Sequence, residues 1–344
     1  MPAVIDLHAH TTASDGDDRP SELIAHALDA GIDVLAVTDH DTMSGLAEAA
    51  EASAGSGLML IPGIELSAQV IDDEPGAIPR SVHLLGYGVD PANPLLSSEM
   101  EKIRAHRDDR LRLMVEKLAA DFDLSWGEVR EAIPPGATPG RPHIAEVLIR
   151  KGYFPDTSAA FAGPLRADGP YHVPHYAPRL HRALAVIIEA GGVPILAHPF
   201  TGARSGAIRH DQSLAAILEG YQVFVEAGLA GLEIEHRENT EEGKEILRMI
   251  AAEFSLIETG SSDYHGTRKP NALGENTTEE SQLERILEKA SGSAPISSRL
   301  CGGVAECERD PSSHPGQRNR ARAVSSEFPA VLSVVDPRAF LSEE

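Results

Sequence analysis

Histidines and carboxylates stand along this chain where apolar runs begin or stop. His8 and His10 close the run Val4-Ile5-Asp6-Leu7, and Asp15 lies a few residues beyond them. His40 follows Val34-Leu35-Ala36-Val37, Glu65 follows Leu58 to Ile64, and His83 sits inside Val82 to Tyr87. His198 follows Val193 to Ala197, and Asp263 and His265 follow Leu256 to Gly260. Side chains alternate along a strand, so His8 and His10, two residues apart, point to the same side and form a chelating pair. One histidine beside a strand is usually solvated or structural. Six strand-like segments that each carry such a group point to metal chemistry. Imidazole mixed with carboxylate and without cysteine suits zinc, manganese or iron, whereas calcium and magnesium prefer shells of oxygen.

Positioning these groups requires strands whose ends meet. Candidate strands begin near Val4, Val34, Leu58, Val82, Val193, Leu232 and Leu256. Helical stretches rich in Ala, Glu and Leu lie between them: Pro20 to Ala30, Thr42 to Ala54, Arg179 to Ala190, Gln212 to Ala227, Thr240 to Glu253 and Glu279 to Ala290. Gly31 and Gly55 are placed to close the first two. Alternating strand and helix predicts parallel strands joined by right-handed crossovers. A closed or slightly distorted barrel explains ligands gathered at many strand ends, since barrels of this type carry their sites there. A doubly wound open sheet is the alternative, and it would bring ligands together at one crevice. Residues 1–94 and 179–291 are therefore read as the barrel. Residues 95–178 break the rhythm with a long amphipathic helix, Leu96 to Asp121, and short helices punctuated by Pro and Gly. They are read as a helical insertion that caps the mouth. Residues 292–344 shift to Ser, Gly, Pro and Arg and are read as a linker or disordered tail.

The chain has 344 residues, 42% of them hydrophobic, enough to fill one large α/β barrel or two ordinary domains. Lys and Arg number 30 against 53 Asp and Glu, a formal charge of −23. Such a field repels phosphate backbones, so no broad DNA-binding surface is expected, while a small polyanion can bind where metals and arginines locally reverse the sign. No window approaches the roughly 18 apolar residues of a membrane span. The chain opens on a strand instead of a basic and apolar leader, so a cytoplasmic protein is expected. Cys301 and Cys307 are the only cysteines, so no disulfide framework is expected. With His314 they match no complete zinc spacing, and a solvated tail is the better reading.

Several motifs together resemble those of the polymerase and histidinol phosphatase (PHP) family: His8-Ala9-His10-Thr11 with Ser14-Asp15-Gly16, Thr38-Asp39-His40-Asp41-Thr42, Gly63-Ile64-Glu65, His83-Leu84-Leu85-Gly86-Tyr87, Ala197-His198-Pro199 and Ser262-Asp263-Tyr264-His265. The resemblance runs from residue 4 to about residue 290. It implies a distorted (β/α)7 TIM-like barrel holding up to three divalent metal ions. By motif, His8, His10, Glu65 and Asp263 hold a first metal, Glu65, His83 and His198 a second, and Asp15, His40 and His265 a third, with Glu65 bridging. The insertion with Gly140-Arg141-Pro142-His143 looks like the stand-alone phosphoesterase branch, whose members act on nucleoside 3′,5′-bisphosphates or on the 5′ ends of short RNA. The stretch Asp72 to Arg80 and the tail after Ser291 depart from the pattern.

Metals bridged by a carboxylate lower the pKa of a shared water toward neutrality and neutralise phosphoryl oxygens, which suits phosphoester hydrolysis. Deamination or amide cleavage would suit the metals equally, so the phosphate contacts must decide. Arg104, Arg107 and Arg110 recur on one face of the insertion helix, drifting about 60° per step. They are candidates to grip phosphate, or a solvated stripe paired with Glu101, Asp108 or Asp109. Gly140 and Pro142 predict a turn that presents Arg141 and His143 to substrate, with His143 also a candidate proton donor to the leaving group. His26 and His181 lie in helical patterns and are expected to be solvated or packed, and His106 alternates with the arginines. Pro174 opposes a helix through His172 and His175, so these two, with His236, are expected in loops. The expected activity is metal-dependent removal of the 3′-phosphate from a nucleoside 3′,5′-bisphosphate. The alternatives are a 5′-to-3′ exoribonuclease on short RNA, a phosphatase of the histidinol-phosphate type, and a catalytically silent domain that binds a phosphorylated ligand.

Overall fold

The computed structural model describes residues 2–71, 79–166, 169–200 and 213–297. Eight strands are present among them: β1 (Ile5–Ala9), β2 (Val34–Val37), β3 (Met59–Val70), β4 (Arg80–Tyr87), β5 (Val193–Leu196), β6 (Gly231–Glu235), β7 (Ile257–Gly260) and β8 (Ile296–Ser297). The first seven pair in chain order, and the sheet curls until β1 nearly meets the end of β7. There the His10 amide donates to the Tyr264 carbonyl at 2.9 Å, and Ala9 bridges Tyr264. The result is a distorted, nearly closed seven-stranded barrel. Strands β1 and β2 are buried along their whole length, as expected of strands covered on both faces.

The uniformly parallel sheet expected from the sequence is not what forms. Strand β4 runs antiparallel to both β3 and β5. Nine residues, 71–79, separate β3 from β4, fewer than the dozen or so that a parallel crossover needs, so the chain returns as an antiparallel pair. The reversal has a consequence for chemistry: the beginning of β4 lies at the end of the barrel where the parallel strands finish. Hence His83 precedes its apolar run, Leu84-Leu85, while the other ligand candidates follow theirs. Ser67 and His83 are register partners.

Among the described residues ten α-helices accompany these strands: α1 (Pro20–Asp29), α2 (Leu46–Ser53), α3 (Pro94–Leu118), α4 (Trp126–Glu131), α5 (Arg141–Arg150), α6 (Thr157–Ala162), α7 (Leu180–Glu189), α8 (Leu214–Glu226), α9 (Glu241–Phe254) and α10 (Glu280–Lys289). Helix α2 starts four residues later than the pattern suggested, because the Ser44 amide and hydroxyl both bond to the Thr42 hydroxyl and make a turn there. Helix α3, about 37 Å long from its rise per residue, joins two cores. Its first half buries Leu96, Met100 and Ile103 in the barrel's core. Its second half buries Leu111, Met114 and Leu118 with Val129, Ile144 and Leu148 of the insertion.

The boundary at residue 292 moves outward. Ser293 donates to the Gly88 carbonyl at 2.7 Å, and Ile296 and Ser297 pair with Leu60 and Met59 of β3. Composition shows little of so short a pairing, which depends on an edge supplied by the folded barrel. Cys301, Cys307 and His314 lie outside the described residues, as do most of the acidic stretch after Ile71 and residues 201–212. Among the described residues, no helix is long and apolar enough to cross a membrane.

Candidate metal centre

Strand ends and the loops after them bring all nine ligand candidates into one cluster. Donor atoms fall into overlapping groups, each within 4.8 Å: His10, Asp15, His40 and His265; His8, Glu65 and His198; His8, His10 and Asp263; and His40, Glu65 and His83. Glu65, fully buried on β3, touches the most. Its Oε1 lies 2.8 Å from His83 Nδ1 and 3.1 Å from His198 Nε2. Its Oε2 lies 2.9 Å from His40 Nδ1, 3.2 Å from His10 Nε2 and 3.3 Å from His8 Nε2. Asp15 Oδ1 approaches His265 Nε2 at 3.3 Å and His40 Nε2 at 3.9 Å.

These atoms converge without satisfying one another. Asp15 Oδ1, His40 Nδ1, Glu65 Oε2 and His83 Nδ1 are buried with no hydrogen-bond partner, although oxygen and nitrogen stand within 3 Å in places. Proximity without alignment indicates lone pairs aimed at common points. Burying such groups unpaired is costly unless a cation completes them. The residues therefore fit divalent metal, and the mixed donor set suits manganese, iron or zinc.

Electrostatics agree with the geometry. Burial pushes the Glu65 carboxyl up, but His40, His83 and His8 outweigh it and hold it well below the usual carboxylate range. Asp15 is held down likewise, against burial, by His40 and His265. Asp263 is held down, again against burial, by Lys269, His265 and His8. Burial keeps His83 and His198 below the ordinary imidazole value, and burial, Lys269 and His10 bring His265 down to about 4. His10 goes the other way: burial opposes its charge, but Asp263 and Glu65 raise it to about 9.

Backbone strain concentrates at the same place. Among the described residues four non-glycine residues have positive φ, and Asp41, His198 and Asp263 are three of them, at 53°, 29° and 52°. Such conformations persist only where their surroundings over-determine them. The Asp15 loop is drawn tightly against β1: a Cβ on Gly16 would lie 2.6 Å from the His10 carbonyl oxygen, so glycine is required there.

Behind the ligands stand buried carboxylates that the metal-ligand pattern did not single out. Asp39 accepts from the Thr11 amide at 2.8 Å, the Thr11 hydroxyl at 2.8 Å and the Ser14 hydroxyl at 2.6 Å, fixing the loop that carries Asp15. Asp6 accepts from the Ser262 amide at 3.0 Å and the Gly274 amide at 2.9 Å, fixing the loop that carries Asp263. His236, fully buried, has its Nε2 3.5 Å from Asp263 Oδ2, and Lys269 reaches the same oxygen at 2.5 Å. A signal existed for Asp6 and Glu233: each is a charge inside an apolar run, Ile5-Asp6-Leu7 and Leu232-Glu233-Ile234. Such residues are seldom buried without partners.

The insertion residues are placed differently from expectation. Gly140-Arg141-Pro142-His143 is not a free turn: Gly140 caps α5, and Pro142 sits in its first turn, where a missing N–H costs nothing. His143 is buried there, its Nδ1 3.2 Å from both the nitrogen and the oxygen of Gly140. Arg141 donates to the Leu165 carbonyl at 3.0 Å and lies over the Phe161 ring. Arg107 is neither free nor paired along its own helix. Its Nε contacts Asp41 Oδ2 at 2.8 Å and its Nη2 donates to the Ser67 hydroxyl at 2.6 Å. Arg110, buried, donates to the Val173 carbonyl at 2.8 Å. Arg104 is half-buried within α3. His26 pairs with Asp18 at 2.7 Å, His106 packs on Tyr176, and His181 packs on Phe224.

Residues 6–135 match the model of the PHP domain. The chain is 32% identical over 270 residues to a 3′,5′-nucleoside bisphosphate phosphatase of Chromobacterium violaceum, covering 76% of this chain and 87% of that protein. It is 28% identical over 264 residues to the 5′-3′ exoribonuclease Rnm of Escherichia coli, covering 76% and 85%. A crystal structure from Bifidobacterium adolescentis, described as that of a metal-dependent phosphoesterase, superimposes with a TM-score of 0.76 at 38% identity, covering 85% of this chain and 98% of that one. With a barrel of this form, a mouth lined by unpaired imidazole and carboxylate, and relatives that hydrolyse phosphate esters, the chain belongs to the PHP domain family and is a metal-dependent phosphoric ester hydrolase.

Proposed function

We propose that this enzyme removes the 3′-phosphate from a nucleoside 3′,5′-bisphosphate, with the insertion gripping the second phosphate. The observation that carries this reading is a pair of half-buried imidazoles, His172 and His175, set near Arg107, Arg110 and Arg141. Burial together with Arg107, Arg110, Arg141 and His172 brings the His175 imidazole down to about 2. His175 Nε2 and His172 Nδ1 are buried without hydrogen-bond partners. On a chain of charge −23 a local group of arginines suits a small ester with two phosphates more than a long backbone. The similarity to the bisphosphate phosphatase supports the same substrate class.

In this reading three divalent ions, manganese, iron or zinc, are held by His8, His10, Glu65 and Asp263; by Glu65, His83 and His198; and by Asp15, His40 and His265. When bound, such ions would supply activated water near neutral pH and neutralise phosphoryl oxygens. Glu65 would serve both of the first two, since its Oε2 faces His8 and His10 and its Oε1 faces His83 and His198. His143, kept neutral chiefly by burial, carries its proton on Nε2 when Nδ1 accepts from the Gly140 amide, and can donate a hydrogen bond from Nε2 to the leaving oxygen as charge develops there. Arg141, with Arg104, Arg107 and Arg110, supplies the positive field of the cap formed by residues 95–178.

A 5′-to-3′ exoribonuclease acting on short RNA is the second reading, favoured by the similarity to Rnm over the same length. The manganese-loaded protein should release inorganic phosphate from adenosine 3′,5′-bisphosphate far faster than a Glu65→Ala control. Equal rates refute the first reading. Stepwise shortening of a labelled RNA, with bisphosphate untouched, establishes the second.

A further inference from the structure

Among the nine ligand candidates none comes from β6, yet β6 places one carboxylate directly behind two of them. Glu233 is completely buried. Its Oε1 accepts from His8 Nδ1 at 2.9 Å and from the Ser261 hydroxyl. Its Oε2 accepts from the backbone amide of His198 at 2.7 Å. We propose that Glu233 is the positioning residue that holds His8 and His198 in ligating geometry at once, and so couples the first metal position to the second. The inference rests on the reading of these two histidines as ligands, but not on the identity of the substrate.

The two contacts do different work. At His8 the contact selects a tautomer. With Nδ1 donating to Glu233, the neutral ring keeps its lone pair on Nε2, the nitrogen that faces Glu65 Oε2 at 3.3 Å and Asp263 Oδ1 at 3.5 Å. At His198 the contact holds a backbone in the left-handed region, with φ of 29°. The bond to the amide of that residue, with Asn239 holding the next loop amide, Phe200 N, at 2.9 Å, aims His198 Nε2 at Glu65 Oε1. Asn239 is itself anchored on the β6 carbonyls of Glu233 and Ile234, both at 3.0 Å. The sixth strand thus contributes orientation in place of a ligand.

Glu233→Gln preserves size and removes the arrangement of acceptors. Three donors face the carboxylate, and an amide has one oxygen and one NH2 group. Either His8 moves its proton to Nε2, the ligating nitrogen, or the His198 amide loses its partner. The expected result is a loss of roughly 10- to 100-fold in affinity for two of the three metals, the scale for partners behind ligands, with the third metal retained. Chelator titration of zinc-loaded protein followed by elemental analysis reads the affinities. Nitrogen NMR of the histidine rings reads the His8 tautomer, which should change in Glu233→Gln and not in Asp39→Asn. The latter should weaken the third metal instead. Parental affinities with an unchanged His8 tautomer overturn the proposal, and so does equal weakening of all three metals. Should Glu233→Gln fail to fold, Glu233→Asp, one methylene shorter, is expected to keep one of the two contacts and weaken one metal more than the other; retention of both at parental affinity is equally fatal. His8→Ala retaining every metal would instead overturn the ligand reading beneath it.

Discussion

Arg107 stands where α3 passes from the barrel's core to the second hydrophobic core, and its removal tests how the two are joined. Asp41 is fully buried, and its carboxylate accepts from the Ser67 amide at 2.7 Å and the Ser67 hydroxyl at 2.8 Å. Arg107, with a side chain 12% exposed, closes the set at 2.8 Å. Neither partner is exposed enough for solvent to screen the pair strongly. Arg107→Ala leaves the carboxylate buried with two neutral donors and no cation, and breaking a buried pair from one side costs about 3–5 kcal/mol. For a domain of this size that corresponds to a fall in Tm on the order of 6–10 °C. The assay is thermal unfolding at saturating metal, run as a double-mutant cycle with Asp41→Asn. Once the charge at residue 41 is gone, Arg107→Ala should cost only about 1 kcal/mol, the worth of its bond to Ser67. An Arg107→Ala protein that melts within about 1 °C of the parent, as an ordinary surface substitution would, refutes the latch and returns Arg107 to a role in substrate contact alone.

Asp15→Ala should lose chiefly one of three metals, because the first two positions do not use Asp15; elemental analysis showing all three at full occupancy contradicts that assignment. Arg141→Ala should lower kcat/KM by roughly 10- to 100-fold with metal content unchanged, the scale of a lost charged hydrogen bond. His143→Ala should lower kcat more than it changes KM if the ring donates the proton, and steady-state kinetics within twofold of the parent for both variants would confine α5 to a structural role. Metal affinity should depend on pH with a definite sign. His10, raised to about 9 by Asp263 and Glu65 against burial, is protonated in metal-free protein at pH 7 and must surrender that proton to bind. Apparent affinity should therefore rise about tenfold per pH unit for this proton up to about pH 9. Calorimetry in buffers of different ionisation heat counts the released protons, and a count of zero at pH 7 contradicts the reading.

What could be read from the residues was the part governed by period and local chemistry. His8-x-His10 at the end of an apolar run fixes two imidazoles on one side of a strand whatever surrounds it. Alternating strands and helices imply a barrel, and glycines at helix ends mark boundaries within a residue or two. The apolar pattern of β4 did not reveal its direction, because an eight-residue strand reads the same either way; the short connection after β3 was the one signal in the sequence, and pairing with β3 and β5 decided it. The partners of Arg107 were not legible either. Spacing along α3 points to Glu101, Asp108 or Asp109, whereas the helix delivers the guanidinium to Asp41 and Ser67, distant in sequence and brought together by the barrel. Glu233 lies between these cases. A carboxylate inside Leu232-Glu233-Ile234 announces that it must be satisfied, but which donors satisfy it depends on strand ends that are 225 and 35 residues away in the chain, at His8 and His198. Residue type and period state what a side chain requires, and tertiary contact alone determines which groups meet that requirement.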